Sequence, residues 1–264
     1  MIDRFVRGCA KSAAPLALLA LGTALSGCAY MDDWESVDGV PLAELDMSGA
    51  APSKLVLAGP DRVFITEASE LAISVEGDTK AGEALRFDRD GDRLTIARDR
   101  NIFDGSGVAM VLVSMPAPSE LGIAGSGQIE AESMASDSAE IEIAGSGDIK
   151  VGNIDADRLE VEIAGSGNVT AIGRAINVSI EIAGSGDVDF ANLSADDASV
   201  EIAGSGDVEL ASDGTVSAEI AGSGDVTVYG SASCSVQSAG SGSLTCRPAE
   251  TAAAAPERAI AADE

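Results

Sequence analysis

The sequence predicts an all-β protein, a parallel β-helix (β-solenoid) of about seven regular coils of 18–20 residues with an N-terminal β-rich continuation or cap. The first observation is a repeated Ile-Ala-Gly-Ser-Gly motif. Its isoleucine stands at Ile123, Ile143, Ile163, Ile182, Ile202 and Ile220, and a degenerate copy has Ser238 in that position. Second, apolar and polar residues alternate around each copy, which is typical of strands with one buried face. Third, the Gly-Ser-Gly between them predicts a sharp turn.

Other repeat architectures fit this spacing less well. A propeller blade takes about 40–45 residues, twice the observed period, and the leucine-rich pattern is missing. In a β-helix each repeat forms one coil of short strands, and successive coils stack about 4.8 Å apart. Because a single coil cannot bury its apolar face, we expect the stack itself to form the core.

The N-terminal segment predicts a signal peptide over residues 1–27. Arg4, Arg7 and Lys11 precede an apolar run over residues 13–25, and small residues follow the run. These are the parts of a secretory signal. The apolar run is too short to predict a stable membrane-spanning helix.

The end of this segment, Leu25-Ser26-Gly27-Cys28, resembles the lipobox of bacterial lipoproteins. The resemblance implies cleavage before Cys28 and lipidation of that cysteine. Ala29, in place of aspartate, implies delivery to the outer membrane by the same resemblance. The alternative is an ordinary secreted protein in which Cys28 has no special role. Residues 28–53 are interpreted as an acidic tether.

The composition excludes several classes of function. The chain has 44 acidic and 16 basic residues, a net charge of −28 and no histidine. Loss of residues 1–27 removes three basic residues and one acidic residue, which leaves 13 basic and 43 acidic residues and a net charge of −30. Such a charge excludes nucleic acid as a partner, since phosphate binding depends on Lys and Arg. Without histidine, Ser-His-Asp catalysis and histidine-ligated zinc are excluded.

Residues 54–115 are predicted to continue or cap the N-terminal end of the solenoid. Candidate strands are Lys54 to Ala58, Arg62 to Thr66, Leu71 to Val75, Arg93 to Ala97 and Val108 to Met115. The stretch Asp88-Arg-Asp-Gly-Asp92 resembles the start of an EF-hand loop, but Arg93 stands where that loop requires glycine, and a hairpin turn is the better interpretation. Residues 248–264 are predicted to be a disordered Ala-rich acidic tail.

Stacking predicts columns of equivalent residues on the outer surface. The position before the isoleucine is Gly122, Glu142, Glu162, Glu181, Glu201, Glu219 and Gln237, and the position after Gly-Ser-Gly is Gln128, Asp148, Asn168, Asp187, Asp207, Asp225 and Ser243. One interpretation of the second column is a solvated face whose carboxylates accept hydrogen bonds from turn amides. The other is weak binding of a cation such as Ca²⁺ by Asp187, Asp207 and Asp225, because calcium prefers carboxylate oxygens. No other cofactor is indicated. The repeated turn serines, such as Ser205, predict a ladder of hydroxyls.

The cysteines have separate predicted roles. Cys9 leaves with the signal peptide and Cys28 takes the lipid. The alternation places Cys234 and Cys246 inside the same terminal coil, which predicts a disulfide in an oxidising compartment. A disulfide that closes the loop between these two cysteines would contribute about 2–3 kcal/mol to stability. Two free buried thiols are the alternative.

The chain resembles the auto-transporter adhesin head GIN domain family over about residues 54–247. The residues that carry the resemblance are Leu57-Ala-Gly-Pro60, Leu71 to Glu76 with Gly77-Asp78, Leu94-Thr-Ile96, Val113-Ser-Met-Pro116, the repeated Gly-Ser-Gly-Asp-Val and the paired cysteines at the last turn. It implies a right-handed β-helix at the cell envelope with no established catalytic residues. No membrane barrel follows residue 247, so we expect the anchor to be a lipid on Cys28.

The residues leave two functions open. The first is a non-catalytic cell-envelope lipoprotein with a binding, adhesion or scaffolding domain, whose partners are the membrane and a cell-surface glycan or envelope protein. The second is a polysaccharide lyase or hydrolase that uses surface carboxylates. A coil interrupted by a deep cleft with two non-repeat carboxylates about 5–9 Å apart would favour the enzyme. The repetition of the acidic residues favours the first function.

Overall fold

The computed structural model describes residues 39–99, 101–102 and 107–248. The predicted signal peptide, Cys28 and residues 249–264 of the predicted tail lie outside the described residues. The N-terminal elements are β1 (Lys54–Ala58), β2 (Arg62–Glu67), β3 (Ala72–Gly77), α1 (Thr79–Glu83), β4 (Leu85–Asp90), β5 (Arg93–Arg98) and β6 (Ala109–Met115). The coils follow as β7 (Glu120–Gly125), β8 (Gln128–Ala131), β9 (Met134–Gly145), β10 (Asp148–Gly165), β11 (Asn168–Gly184), β12 (Val188–Gly204), β13 (Val208–Ser212), β14 (Thr215–Gly222), β15 (Asp225–Tyr229), β16 (Ser233–Gly240) and β17 (Ser243–Arg247).

These strands stack in parallel as a β-solenoid of about six turns, which confirms the predicted fold. Seven copies of the motif bound six complete turns. The strand before each Gly-Ser-Gly turn pairs with its equivalent one coil away, in the order β7, β9, β10, β11, β12, β14 and β16. The segment after the turn stacks in the same way, through β8, β10, β11, β12, β13, β15 and β17.

The core is built from columns of aliphatic side chains that point into the coils. The motif isoleucines from Ile123 to Ile220 form one column, and each is 2% exposed. A second column after the turn contains Ile149, Val169, Val188, Val208 and Val226. Because alternate residues of a strand face opposite sides, every inward isoleucine leaves its polar neighbours on the surface.

The Gly-Ser-Gly turns stack directly on one another. From Ser146 to Ser241, the backbone N–H of each turn serine donates to the carbonyl of the first turn glycine one coil earlier, as Ser205 does to Gly184 at 2.9 Å. The hydrogen bonds between stacked turns, which we call rungs, are therefore made by the backbone amides of the serines. The sequence had predicted a ladder of serine hydroxyls. Gly204 has a φ of +148°, and a Cβ added to it would point at the backbone of Gly184.

The N-terminal region both continues and caps the solenoid, and its order along the stack differs from its order in the sequence. β1 pairs in parallel with β5 on one side and with β7 on the other, and β2 lies in the same way between β6 and β8. The coil formed by β1 and β2 is thus inserted between the β5–β6 coil and the first regular coil.

Antiparallel strands end the stack at this side. β4 pairs with β5 and β3 pairs with β6, both antiparallel. Asp90 and Arg93 pair across a two-residue turn with Gly91 at a φ of +61°. The predicted hairpin at Asp88–Asp92 is therefore confirmed.

Described residues of the predicted tether segment contact the N-terminal cap. Val40 forms an antiparallel bridge with Phe87. The Arg89 guanidinium donates to the carbonyl oxygen of Ser48 at 2.8 Å and to those of Asp46 and Ala50. One arginine of the cap thereby holds residues 46–50 against β4.

Candidate functional site

The outer face of the strand before each turn carries two adjacent columns of glutamates. One column is Glu142, Glu162, Glu181, Glu201 and Glu219, which lie in register along the stack. The other is Glu120, Glu140 and Glu160, each two residues before the first column in its strand. Residues two apart in a strand share one side of the sheet. The eight side chains therefore form one surface, which we call the glutamate face.

Packing within this face changes the acidity of its central members. Burial raises the pKa of Glu142 from 4.5 to about 8, and a hydrogen bond with Glu140 and the charges of Glu140, Glu120 and Glu162 act in the same direction. Burial, followed by repulsion from neighbouring glutamates, also raises the pKa of Glu162 and of Glu181. The face therefore holds some of its protons near neutral pH, where an isolated glutamate is ionised.

This shift predicts a pH dependence of stability. A raised pKa means that the folded chain binds the proton more tightly than the unfolded chain does. The free energy of unfolding should then fall as the pH rises from about 4.5, the unfolded value, to about 8, the folded value. We expect Glu142→Gln, which mimics the protonated form, to raise the melting temperature at pH 8 and to leave it nearly unchanged at pH 4.5.

Thermal melts of both proteins between pH 4 and pH 9 test this expectation. Glu219→Gln is the matched control, since Glu219 lies in the same column but has Ser217 in place of a second glutamate beside it. A melting temperature of Glu142→Gln that follows wild type across the whole range would contradict the raised pKa.

Two basic residues neutralise the N-terminal end of the glutamate face. Lys54 and Arg93 continue the column of Glu120 in register. The Lys54 Nζ lies 3.1 Å from one carboxylate oxygen of Glu120, and an Arg93 nitrogen lies 2.6 Å from the other. The bond with Glu120 raises the pKa of Lys54. The sequence analysis missed this cluster, because its members come from β1, β5 and β7.

The second predicted column is a ladder of turn hydrogen bonds. The side-chain oxygen of Asp187 accepts from the backbone N–H of Asp207 at 2.9 Å, Asp207 accepts from Asp225 at 2.8 Å, and Asp225 accepts from Ser243 at 2.9 Å. Asn168 joins the ladder by accepting from the N–H of Asp187. From Asn168 to Asp225, the side chain in this column thus accepts from the backbone N–H of the equivalent residue in the next coil.

The three aspartates of the predicted cation site, Asp187, Asp207 and Asp225, belong to this ladder. One oxygen of each carboxylate already serves the neighbouring turn. Among the described residues, no group of three or more Asp, Glu, Cys or His side chains is arranged to hold a metal ion. The arrangement matches the hydrogen-bonding interpretation of the column.

The terminal coil carries a disulfide between Cys234 and Cys246, whose Cα atoms are 6.7 Å apart. The two cysteines stack on Val216 and Val228, which are both buried. They therefore occupy the inward columns of the last coil. The sulfurs join the strand before the final turn to the strand after it.

A buried ion pair lies next to the first Gly-Ser-Gly turn, on the side of the N-terminal cap. Asp61 is in register with Gly127, the second glycine of a turn, and is fully buried. Its carboxylate accepts two hydrogen bonds from the Arg98 guanidinium, one of them from Nε at 2.6 Å, and one from the N–H of Ala109 at 2.7 Å. The sequence analysis missed this pair. The alignment of Leu57-Ala-Gly-Pro60 with the repeat was the available signal, since it places Asp61 where a glycine is expected.

Comparisons with known proteins agree with this architecture. A family model described as "Putative auto-transporter adhesin, head GIN domain" matches residues 51–232. No curated protein matches the chain.

Solved structures share the fold. A crystal structure of a putative adhesin from Bacteroides fragilis NCTC 9343 is similar at 17% identity and a TM-score of 0.67, over 75% of this chain and 93% of that chain. A putative lipid binding protein from Parabacteroides distasonis ATCC 8503 is similar at 24% identity and a TM-score of 0.58, over 75% and 93%. A putative adhesin from Parabacteroides merdae ATCC 43184 is similar at 17% identity and a TM-score of 0.55, over 75% and 92%.

Proposed function

Because the chain belongs to the head GIN domain family of auto-transporter adhesins, we propose that it is a non-catalytic lipoprotein of the cell envelope. In this proposal, its solenoid acts in adhesion, binding or scaffolding. The same family and the adhesin names of proteins with this fold support a role at the cell surface.

The glutamate face is the observation that carries the proposal. It presents carboxylates at a spacing of about 4.8 Å, the distance between stacked strands. Such a surface suits an extended partner that makes many weak contacts, because linked contacts add avidity that no single contact provides. Glycans and envelope proteins with amino or guanidinium groups have this character. Attachment through the face should weaken as ionic strength rises.

Lipidation of Cys28 supplies the anchor in this proposal. No helix within the described ranges is long and apolar enough to cross a membrane. Acyl chains on Cys28 would each contribute about 0.8 kcal/mol per buried CH₂ group. The lipobox-like Leu25-Ser26-Gly27-Cys28 supports this assignment.

One pair of variants tests the anchor and the surface role together. We expect Cys28→Ser to abolish labelling of the protein by an alkynyl fatty acid, to move it from the membrane to the soluble fraction, and to reduce attachment of the cells to immobilised glycans and matrix proteins. Cys9→Ser, a cysteine of the predicted signal segment, is the control and should change none of the three. Unchanged labelling of Cys28→Ser would refute the anchor, and unchanged attachment by cells that lack the protein would refute adhesion.

The alternative is a polysaccharide-acting enzyme. The observation in its favour is the raised pKa of Glu142, because a general acid needs such a pKa. A hydrogen bond joins the carboxyl groups of Glu140 and Glu142, whereas glycosidases hold their two carboxyl groups about 5 Å or more apart. Burial also raises the pKa of Glu162 and of Glu181, so the feature follows the repeat and does not mark one unique site. The coils keep their register over β7 to β17, with shifts only at corners such as Val151/Ile154.

The enzyme is tested by incubating the full chain with acidic and neutral polysaccharides and measuring new reducing ends. Release of products by wild type that Glu142→Gln eliminates would establish the enzyme. The proposal of a non-catalytic protein expects equal background signals from both proteins.

A further inference from the structure

The last coil of the solenoid differs in charge from the coils before it. No charged side chain occurs from Val226 to Cys246 in a chain with a net charge of −28. Gln237 replaces the glutamate of its column, and Ser243 replaces the aspartate of the other column. Both acidic columns thus stop at the same coil.

This coil also leaves apolar surface uncovered. Val236 is 46% exposed, whereas Ala218, its neighbour one coil earlier in the same inward column, is 2% exposed. Cys234 and Leu244 are half-buried, although their stacking partners Val216 and Val226 are 0% exposed. A further coil would cover all three side chains.

The strands of this coil are also free to pair on one side. Within the described chain, β16 is in register only with β14, and β17 only with β15. An edge strand with no charge and no cover is a template for pairing with another chain. The opposite end of the solenoid is charged and covered, because β4 carries charged residues and Arg89 holds residues 46–50 beside it.

We propose that the terminal coil, residues 233–246, is the interface of a homodimer in which two copies meet end to end across a two-fold axis. Between two such acidic chains, contact is favourable only where carboxylates do not face carboxylates, and the terminal coil meets that condition. When this axis runs perpendicular to β16, it sets β16 of one copy antiparallel to β16 of the other. Val236, Cys234 and Leu244 then lose their exposure to water.

This geometry predicts a closed dimer. A two-fold contact uses the same patch on both copies and therefore stops at two. The other end of the solenoid presents a different, charged and covered edge, so the same contact cannot propagate into a filament. The disulfide joins β16 to β17 in each copy, which reduces the entropy lost when the edge is ordered against its partner.

The test is the mass of the full chain in solution, with Cys28→Ser introduced so that no lipid is attached. Sedimentation velocity between about 1 and 200 µM, a range that covers typical dissociation constants of weak and moderate dimers, should show twice the mass of one chain at the higher concentrations. Gln237→Glu restores the repeat's own residue and sets like charges opposite each other, which should raise the dissociation constant roughly tenfold or more. Glu219→Gln, one coil earlier, is the matched control and should leave the dissociation constant unchanged.

The outcomes separate the possible occupants of this end. An unchanged melting temperature of Gln237→Glu at low concentration, together with loss of the dimer, would support the interface. A single-chain mass at every concentration would overturn it. If the full chain were monomeric and a chain ending at Pro248 dimerised, residues 249–264 would cover the end and the proposal would also fail.

Discussion

Replacing Gly204 by alanine should destabilise the solenoid by about 4 kcal/mol or more, the range that single mutations reach only through severe steric or electrostatic defects. A Cβ at this position would lie closer than 3.0 Å to the carbonyl oxygen and carbon of Gly184. Both are backbone atoms of the stacked coil, so neither can move without breaking the rung from Ser205 to Gly184. The φ of +148° adds strain for any residue with a side chain.

Urea unfolding of wild type and Gly204→Ala measures this loss. Gly91→Ala is the matched control, because Gly91 also has a positive φ of +61° but a Cβ there would meet nothing within 4 Å. Its cost should stay near the 1–2 kcal/mol that a left-handed residue imposes. Ser205→Ala, which keeps the backbone rung, should cost still less. Equal losses for Gly204→Ala and Gly91→Ala would show that stacking contact is not the cause.

Removing the carboxylate of Asp61 should cost about 3–5 kcal/mol, the usual effect of breaking a buried ion pair by one partner. The side chains of Arg98 and Asp61 are only 4% and 1% exposed. Asp61→Ala would remove this carboxylate from a buried guanidinium, and would also remove the acceptor of the Ala109 N–H. Asp61→Asn keeps an acceptor for that N–H and should lose less.

The control for this prediction is an exposed ion pair of the same types. Arg174 and Asp196 approach to 3.7 Å with side chains that are 63% and 55% exposed. Asp196→Ala should change the free energy of unfolding by less than about 1 kcal/mol, because water already screens such a pair. Chemical denaturation of the three variants gives the comparison. A small loss for Asp61→Ala would mean that Arg98 finds solvent or another acceptor when Asp61 is absent.

Most of the regular solenoid could be predicted from the sequence because its information is local. The alternation around Ile163 indicates which side chains are buried, and the repeated motif brings Glu162 and Glu181 into one column. β1 begins and ends at the residues predicted for it, and β2 and β5 differ from their predicted bounds by one residue. In each case, the pattern within a few residues is sufficient.

The cap could not be predicted in the same way. The insertion of the β1–β2 coil between β5–β6 and β7–β8 depends on which distant strands pair, and a single sequence of alternating residues fits several orders. The ion pair of Asp61 and Arg98 and the cluster around Glu120 follow from that order. Helix α1 was also not predicted, because its five residues lack a helical period.

The amino-acid sequence by itself determined the β-solenoid, the inward isoleucines, the glycine turns and the two outer acidic columns. The reason is that the repeat places the same alternating pattern and the same turn residues in every coil. The tertiary structure decided what those columns do. Stacking assigned the carboxylates of Asp187 and Asp207 to the amides of the next coil, and it raised the pKa of Glu142 by burial among other glutamates. It also left the uncharged terminal coil uncovered. Burial, register and the pairing of distant edges depend on residues that are brought together only by the folded chain, and these contacts decide the chemistry of the surface.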